Sequence, residues 1–295
     1  MTTPARPTLR VGVVGAGRVG AVLGAALRAA GHDVVAASAV SDASRDRAEL
    51  LLPGVPLRAV PEVVAAADLV LLAVPDDALS DLVAGLAATG TWVPGQMAVH
   101  TSGRHGLAPF APAAAQQVLP LAIHPAMTFT GTSVDLARLP ECCFGITTPE
   151  PLRPVAEALV VEIGGEPVWV PEAARGRYHA ALAHGSNHLV TLVAQAMEVL
   201  TSAGIEPADR VLRPLLQASL DNALASGDAA RTGPVARGDA GTVAAHLHEL
   251  ADLAPDLPAA YTALARATAQ RASRDGRLRA DLARDVLTTL DQERP

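Results

Sequence analysis

Residues 11–20 read Val-Gly-Val-Val-Gly-Ala-Gly-Arg-Val-Gly, an apolar run that breaks straight into Gly15-x-Gly17-x-x-Gly20. Between a strand and a helix, such a turn suits the pyrophosphate of a dinucleotide. Gly15 permits the tight turn, Gly17 lets backbone N–H groups approach the phosphates, and Gly20 lets the helix pack on the strand. The helix N-terminus adds partial positive charge. Cofactor contacts are therefore expected from Gly15, Ala16, Gly17, Arg18, Val19 and Gly20. Ligands of an open α/β sheet lie beyond the carboxyl ends of its strands. That rule adds Ser38, the segment Ala73-Val74-Pro75, Ser102 within His100-Thr-Ser-Gly103, and His124.

Each of these positions suggests a role. NAD-binding folds place Asp or Glu at the end of the second strand to accept from the ribose 2′-hydroxyl. Here Ser38, Ala39 and Val40 stand there, with Arg45 and Arg47 soon after, so NADP is expected over NAD. His124 ends an apolar strand before Pro125, and a histidine titrating near neutrality can supply the proton that accompanies hydride transfer. His184, Asn187 and His188 lie at spacings of three and four on one predicted helix, hence on one face. They could orient a carbonyl or the nicotinamide amide. No glutamate follows in a His-Glu-x-x-His pattern and no third ligand is obvious, so no metal is expected. Arg237, in Gly233-Pro-Val-Ala-Arg-Gly-Asp239, is placed to clamp a carboxylate. Thr242 could add a hydroxyl to that clamp, while Asp239 caps the next helix.

The elements that must hold these residues follow from the apolar pattern. Strands are expected at residues 11–14, Asp33–Ser38, Asp68–Val74, Gln96–Thr101, Val118–Ile123, Phe144–Thr147 and Pro167–Val170. Helices fall between them at Val19–Ala30, Ser44–Leu52 (capped by Ser41 or Asp42), Asp76–Leu86 and Leu152–Ile163. The continuous apolar run Leu69–Val74 implies a parallel strand buried on both faces. This βαβ rhythm predicts a doubly wound Rossmann domain over 8–171. From Pro171 the pattern turns helical: Glu172–Ala203 ending at Gly204, then Pro207–Ala225, Asp239–Leu253 and Pro258–Thr289. An all-helical substrate and dimerisation domain is expected over 172–295.

Composition bounds the function. The chain has 295 residues, half of them hydrophobic and only 2% aromatic, so Leu, Val and Ala must fill its cores. A net charge of −7 without a basic stripe argues against nucleic acid. Arg6 and Arg10 precede an apolar stretch, but Gly15, Gly17 and Gly20 break it too early for a signal peptide. No apolar run reaches the ~20 residues of a membrane span. Cys142 and Cys143 are adjacent, an unlikely disulfide pair by geometry, and a reducing cytoplasm is the expected compartment.

The glycine turn, Ala73-Val-Pro-Asp76, His100-Thr-Ser-Gly103, His124-Pro-Ala-Met-Thr-Phe129, Tyr178-His179…Asn187-His188 and Thr232-Gly-Pro-Val-Ala-Arg-Gly-Asp239 together resemble one bacterial family. Its members pair a Rossmann-like domain with the domain of unknown function 2520. The resemblance runs over nearly the whole chain and implies an NADP-dependent oxidoreductase. It also implies a helical domain similar to that of 6-phosphogluconate dehydrogenase, which often builds a dimer. The His-Pro turn is similar to one in prephenate dehydrogenases whose histidine contacts the reacting hydroxyl, which implies roles for His124 and Ser102. β-Hydroxyacid dehydrogenases carry a lysine one helical turn before a helical asparagine. Here Asn187 is present, but Ala183 stands in the lysine's place. Gly238–Thr242 loosely echoes a segment of pyrroline-5-carboxylate reductase. The expected reaction is hydride transfer to a small carboxylate-bearing ketone or imine, with a ketopantoate-like substrate as one candidate. The contrasting reading is a dinucleotide-binding sensor or scaffold without turnover.

Overall fold

A computed structural model describes residues 8–292. Arg6, and residues 293–295 of the expected helical region, lie outside the described residues. Two compact units meet in sequence between Gly185 and Ser186.

The first unit runs β1 (Arg10–Val14), α1 (Arg18–Ala29), β2 (Asp33–Ser38), α2 (Asp42–Leu51), α3 (Val60–Ala65), β3 (Leu69–Leu72), α4 (Asp76–Ala88), β4 (Met97–His100), α5 (Ala111–Ala114), β5 (Leu119–Pro125), α6 (Ser133–Arg138), β6 (Cys143–Thr147), α7 (Arg153–Glu162), β7 (Glu166–Trp169) and α8 (Arg175–Leu182). The strands form one sheet in the order β2-β1-β3-β4-β5-β6-β7. β1 to β5 are parallel, which brings the carboxyl ends of β1, β3, β4 and β5 to one edge. β3 shows why the sheet is buried on both sides. Leu69 and Leu71 enter the core under α1 and α7, and Val70 and Leu72 enter the opposite core with Leu79, Val83 and Phe110. At roughly 1.5–3 kcal/mol per fully buried Leu or Val, β3 anchors the sheet far better than half-exposed β7.

The sheet is mostly parallel, with β6 running antiparallel to β5. The segment between them holds the short helix α6 and a 3-10 turn at Leu139–Glu141, so the chain returns along the same edge without a full crossover. The long helix expected over Glu172–Ala203 is interrupted by a π-helical turn at Ala183–Asn187 before α9 (His188–Ser202). The first unit also continues past Pro171, because Arg175 of α8 is buried against the carbonyls of β5 and β6.

The second unit continues with α10 (Ala208–Ser226), α11 (Pro234–Arg237), α12 (Ala240–Leu250), α13 (Asp256–Arg274) and α14 (Ala280–Gln292). Its core gathers Val243, Leu247, Ala265, Ala269, Val286 and Leu290. The helix expected over Pro258–Thr289 is two helices. Gly276 takes φ +70°, and Arg277 N–H closes back on the Ala272 carbonyl, a left-handed helix stop. Asp239 caps α12 as expected, accepting from Thr242 N–H at 3.0 Å. Among the described residues, no helix is long and apolar enough to cross a membrane.

Candidate functional site

The glycine turn closes β1 onto α1. Gly15 takes φ +91° and a Cβ on it would fall 2.6 Å from the Ala73 carbonyl, and a side chain at Gly20 would overlap the Gly15 carbonyl. Both glycines are required by packing. Gly17 is not: a Cβ there would meet nothing within 4 Å. Gly17 is the N-cap of α1, no side chain caps the helix, and no acid lies in its first turn. The first-turn amides of a helix lack intrahelical acceptors, so an open, positively polarised cradle faces outward at Gly17. It fits a pyrophosphate. Two expected contacts are corrected here. Ala16 is fully buried and its N–H is held by the Ser38 carbonyl at 2.7 Å. The buried Ser38 hydroxyl accepts from Gly15 N–H at 3.0 Å. Both brace the turn, because a strand-end hydroxyl beside a tight turn is drawn to the nearest unpaired amide.

The polar groups expected to meet a 2′-phosphate divide in the same way. Ser41 and Ser44 form the capping box of α2, and Arg45 pairs with Asp42 at 2.7 Å. Arg47 behaves differently. Together with Arg18 it lies over the backbone of Gly131, in the loop after β5. Ala73, Val74 and Pro75 lead from β3 to the start of α4, with Ala73 packed on Gly15 and Gly20.

The loop after β4 is locked from within. His100 is fully buried and stacked on Phe110; its Nε2 donates to the Gly106 carbonyl at 2.7 Å while Nδ1 accepts from Ser102 N–H. Burial pushes its pKa down to about 4. Ser102 is also buried, and its hydroxyl accepts from His105 N–H at 3.1 Å. Glu172 receives Leu107 N–H on both carboxylate oxygens.

Beside this loop the structure brings together His124, Tyr178, His179, Gly103 and Arg175. His124 Nδ1 lies 2.9 Å from the Tyr178 hydroxyl, and the two rings meet edge to face. The His179 ring lies 6.5 Å from that of His124. Two glycines leave room for this cluster. A Cβ on Gly145, the β6 partner of His124, would fall 2.6 Å from the Tyr178 hydroxyl. One on Gly103 would fall 2.9 Å from His124 Nε2 and 2.8 Å from His179. Below them Arg175 is 2% exposed. It donates to Thr147 Oγ1 at 2.7 Å and to the carbonyls of Ser102, Ala122 and Gly145.

The environment corrects the expectation that His124 titrates near neutrality. Burial, then the Arg175 charge, then His179 push its pKa down to about 4, against a smaller opposing pull from Asp76. At pH 7 His124 is neutral. Burial likewise raises the Tyr178 hydroxyl, so the phenol keeps its proton.

The remaining expected residues sit elsewhere in sequence and setting. His184 and Asn187 are exposed on the π-helical turn. Its i→i+5 bonding widens the turn, so a spacing of three no longer places them on one face. Arg237 is exposed at the end of α11 in the second unit. The Thr242 hydroxyl is spent on Asp239 Oδ2 at 2.6 Å, which corrects its expected role toward a ligand. Tyr178 and His179 stood out in the sequence only as a dipeptide without a role. Arg175 carried no signal, since an arginine opening a helix is usually solvated. Among the described residues no group of three or more His, Cys, Asp or Glu is placed to hold a metal.

The family models divide the chain elsewhere than the two compact units do, since the second match begins beside β6 and runs on past Gly185. A Rossmann-like domain model matches residues 2–125, and the model of a domain of unknown function (DUF2520) matches residues 142–268. The chain pairs a Rossmann-like domain with DUF2520. Solved structures share this Rossmann–DUF2520 chain's fold at low identity. A "putative NADP oxidoreductase" of Bacteroides fragilis is 22% identical with a TM-score of 0.76, covering 88% of this chain and 98% of its own. An imine reductase variant of Myxococcus stipitatus in complex with NAD+ is 19% identical with a TM-score of 0.59, covering 97% and 99%. A 1-pyrroline-5-carboxylate reductase of Streptococcus pyogenes is 16% identical with a TM-score of 0.59, covering 97% and 98%. No curated protein matches the sequence.

Proposed function

We propose that this protein is an NADP-dependent oxidoreductase that reduces a small carboxylate-bearing ketone or imine. One observation carries the reading. The open cradle at Gly17 and the His124–Tyr178 pair lie beyond the carboxyl ends of strands of one parallel set, where an α/β sheet binds its ligands. A sensor would need the cradle but not a half-buried His–Tyr pair. The names borne by the structural neighbours, "putative NADP oxidoreductase", imine reductase and pyrroline-5-carboxylate reductase, support the same class of chemistry.

In this reading Gly17, Arg18, Val19 and Gly20 present their amides to the pyrophosphate, and Ala73–Pro75 run along the nicotinamide half. The bound nicotinamide supplies the hydride. As the carbon gains it, the carbonyl π electrons move to oxygen, and the oxygen takes a proton from His124, which the Tyr178 hydroxyl replaces and solvent restores. His124, neutral at pH 7, meets that oxygen as a hydrogen-bond donor with Tyr178 behind it. Ser102 borders the same loop. NADP is favoured over NAD because no carboxylate stands among residues 38–41 and the Arg47 guanidinium lies over Gly131 beside the stem of Arg18.

A homodimer is proposed through the helical unit. Of the residues on α10 only Ala208 is buried, while Leu215 is 63% and Leu224 79% exposed on opposite sides of the helix, apolar surface that a second copy wrapped around it would cover. Light scattering should give a dimer mass, reduced to a monomer by Leu215→Glu with Leu224→Glu.

The test of the activity is parallel titration with NADPH and NADH, followed by a screen of 2-keto acids and cyclic imines monitored by loss of reduced nicotinamide. Tight NADPH binding with turnover of one class is expected. Failure to bind either nucleotide would overturn the reading, and binding without any turnover would leave the sensor.

A further inference from the structure

The loop between β5 and α6, residues 126–132, is fastened at two points. Phe129 is buried in the core that also holds Leu23 and Leu27 of α1. Asp135 of α6 is fully buried and its carboxylate reaches back into the loop. One oxygen accepts from Gly131 N–H at 2.7 Å and the other from the Thr130 hydroxyl at 3.0 Å. A buried carboxylate is costly unless it is hydrogen-bonded, so the loop and Asp135 hold each other in place.

Gly131 takes φ +79°, a conformation that strains any side chain. The space above it is also taken. A Cβ there would lie 3.0 Å from Cδ of Arg47 and 3.0 Å from Cγ of Arg18, and closer still to Arg47 Nε. The buried Gly131 backbone is therefore a platform under two arginine stems that come from different helices, α2 and α1.

Two cations side by side repel each other unless an anion joins them. Arg45, on the same helix as Arg47, pairs with Asp42. Arg47 and Arg18 form no ion pair with a carboxylate among the described residues. Arg47 is nonetheless half-buried rather than extended into solvent. Its helix follows β2, the strand whose end meets the adenosine ribose in this type of sheet.

We propose that the loop held by Asp135 and Gly131 is the positioning element that sets Arg47 for the 2′-phosphate of NADP, and so decides NADP over NAD. The inference rests on the dinucleotide-binding reading and adds a segment beyond β5 to the determinants after β2. A guanidinium held in place before binding loses less freedom when its fork meets a phosphate.

Equilibrium binding of NADPH and NADH to the full chain, read by nicotinamide fluorescence, tests the assignment. Arg47→Met should weaken NADPH about 10- to 100-fold and NADH less than about twofold. Gly131→Ala, which pushes Arg47 off the platform, should weaken NADPH about tenfold with the same selectivity, and add almost nothing in the Arg47→Met background. Asp135→Ala should repeat the selective loss by releasing the loop. Equal losses for both nucleotides overturn the proposal, as does a Gly131→Ala loss that persists without Arg47. NMR relaxation of the arginine Nε–H groups, without nucleotide, decides even if the loop variants do not fold. In the wild type, Arg47, assigned by its loss in Arg47→Met, should be held more rigidly than exposed Arg45, and equal mobility overturns the proposal. A wild type that binds neither nucleotide fells the dinucleotide reading and this inference with it. One that binds both equally overturns the inference alone.

Discussion

Replacing Gly17 by serine should leave the protein as stable as before and weaken the dinucleotide binding proposed for it. Gly17 has φ −72° and ψ −164°, an extended N-cap conformation open to any residue, with empty space where a Cβ would go. A serine hydroxyl there can accept from a first-turn N–H, a gain of a few tenths of a kcal/mol over glycine at about this position. The melting temperature should therefore stay within about 1 °C or rise slightly. The same side chain would fill the cradle and compete for amides meant for the pyrophosphate. Losing one charge-assisted hydrogen bond costs about 1.5–3 kcal/mol, so NADPH affinity should fall about 10- to 100-fold. Gly20→Ala is the control with the opposite signature. Its methyl group would overlap the Gly15 carbonyl and lie 2.9 Å from the Ala73 Cβ. Overpacking of this kind costs about 1–3 kcal/mol, at about 2–4 °C each. Thermal melts and NADPH fluorescence titration read both effects. Unchanged NADPH affinity in Gly17→Ser, or a melting point as low as that of Gly20→Ala, would refute the reasoning.

Three further outcomes follow from the same geometry. Gln96 is buried and donates to the Val64 and Ala67 carbonyls at 2.7 Å each, so Gln96→Leu should destabilise by about 2–3 kcal/mol in urea unfolding by leaving both unpaired. His100 and His124 both titrate near 4 when folded and near 6.5 when unfolded. Between these values the unfolded chain binds more protons, so stability should fall with acidification, at about 1.4 kcal/mol per pH unit for each histidine. His124→Asn should flatten that slope by about half in melts between those pH values. Gly145→Ala should displace Tyr178, which near-UV circular dichroism would report as a changed tyrosine signal, with a stability loss of about 1–3 kcal/mol; an unchanged spectrum would count against the packing described.

The sequence by itself determined what depends on neighbours along the chain. The glycine turn is legible because strand, tight turn and helix start are one contiguous backbone requirement, and β3 because a run such as Leu69–Leu72 can only be buried on both faces. The Asp239 cap is local in the same sense. Tertiary structure decided the rest. Ser38 and Thr242 have the hydroxyls a ligand would use, but each is drawn to a nearer partner that only the folded turn supplies. The direction of β6 followed from how the chain turned back after β5, and that direction sets His124 opposite Gly145. Gly103 and Gly145 matter through the side chains they lack, and that becomes visible only when His124, Tyr178 and His179 occupy the space. Arg175 reads in sequence as a solvated helix residue. Burial changes its meaning, because a charge removed from water acts on its neighbours with a strength that water would otherwise screen.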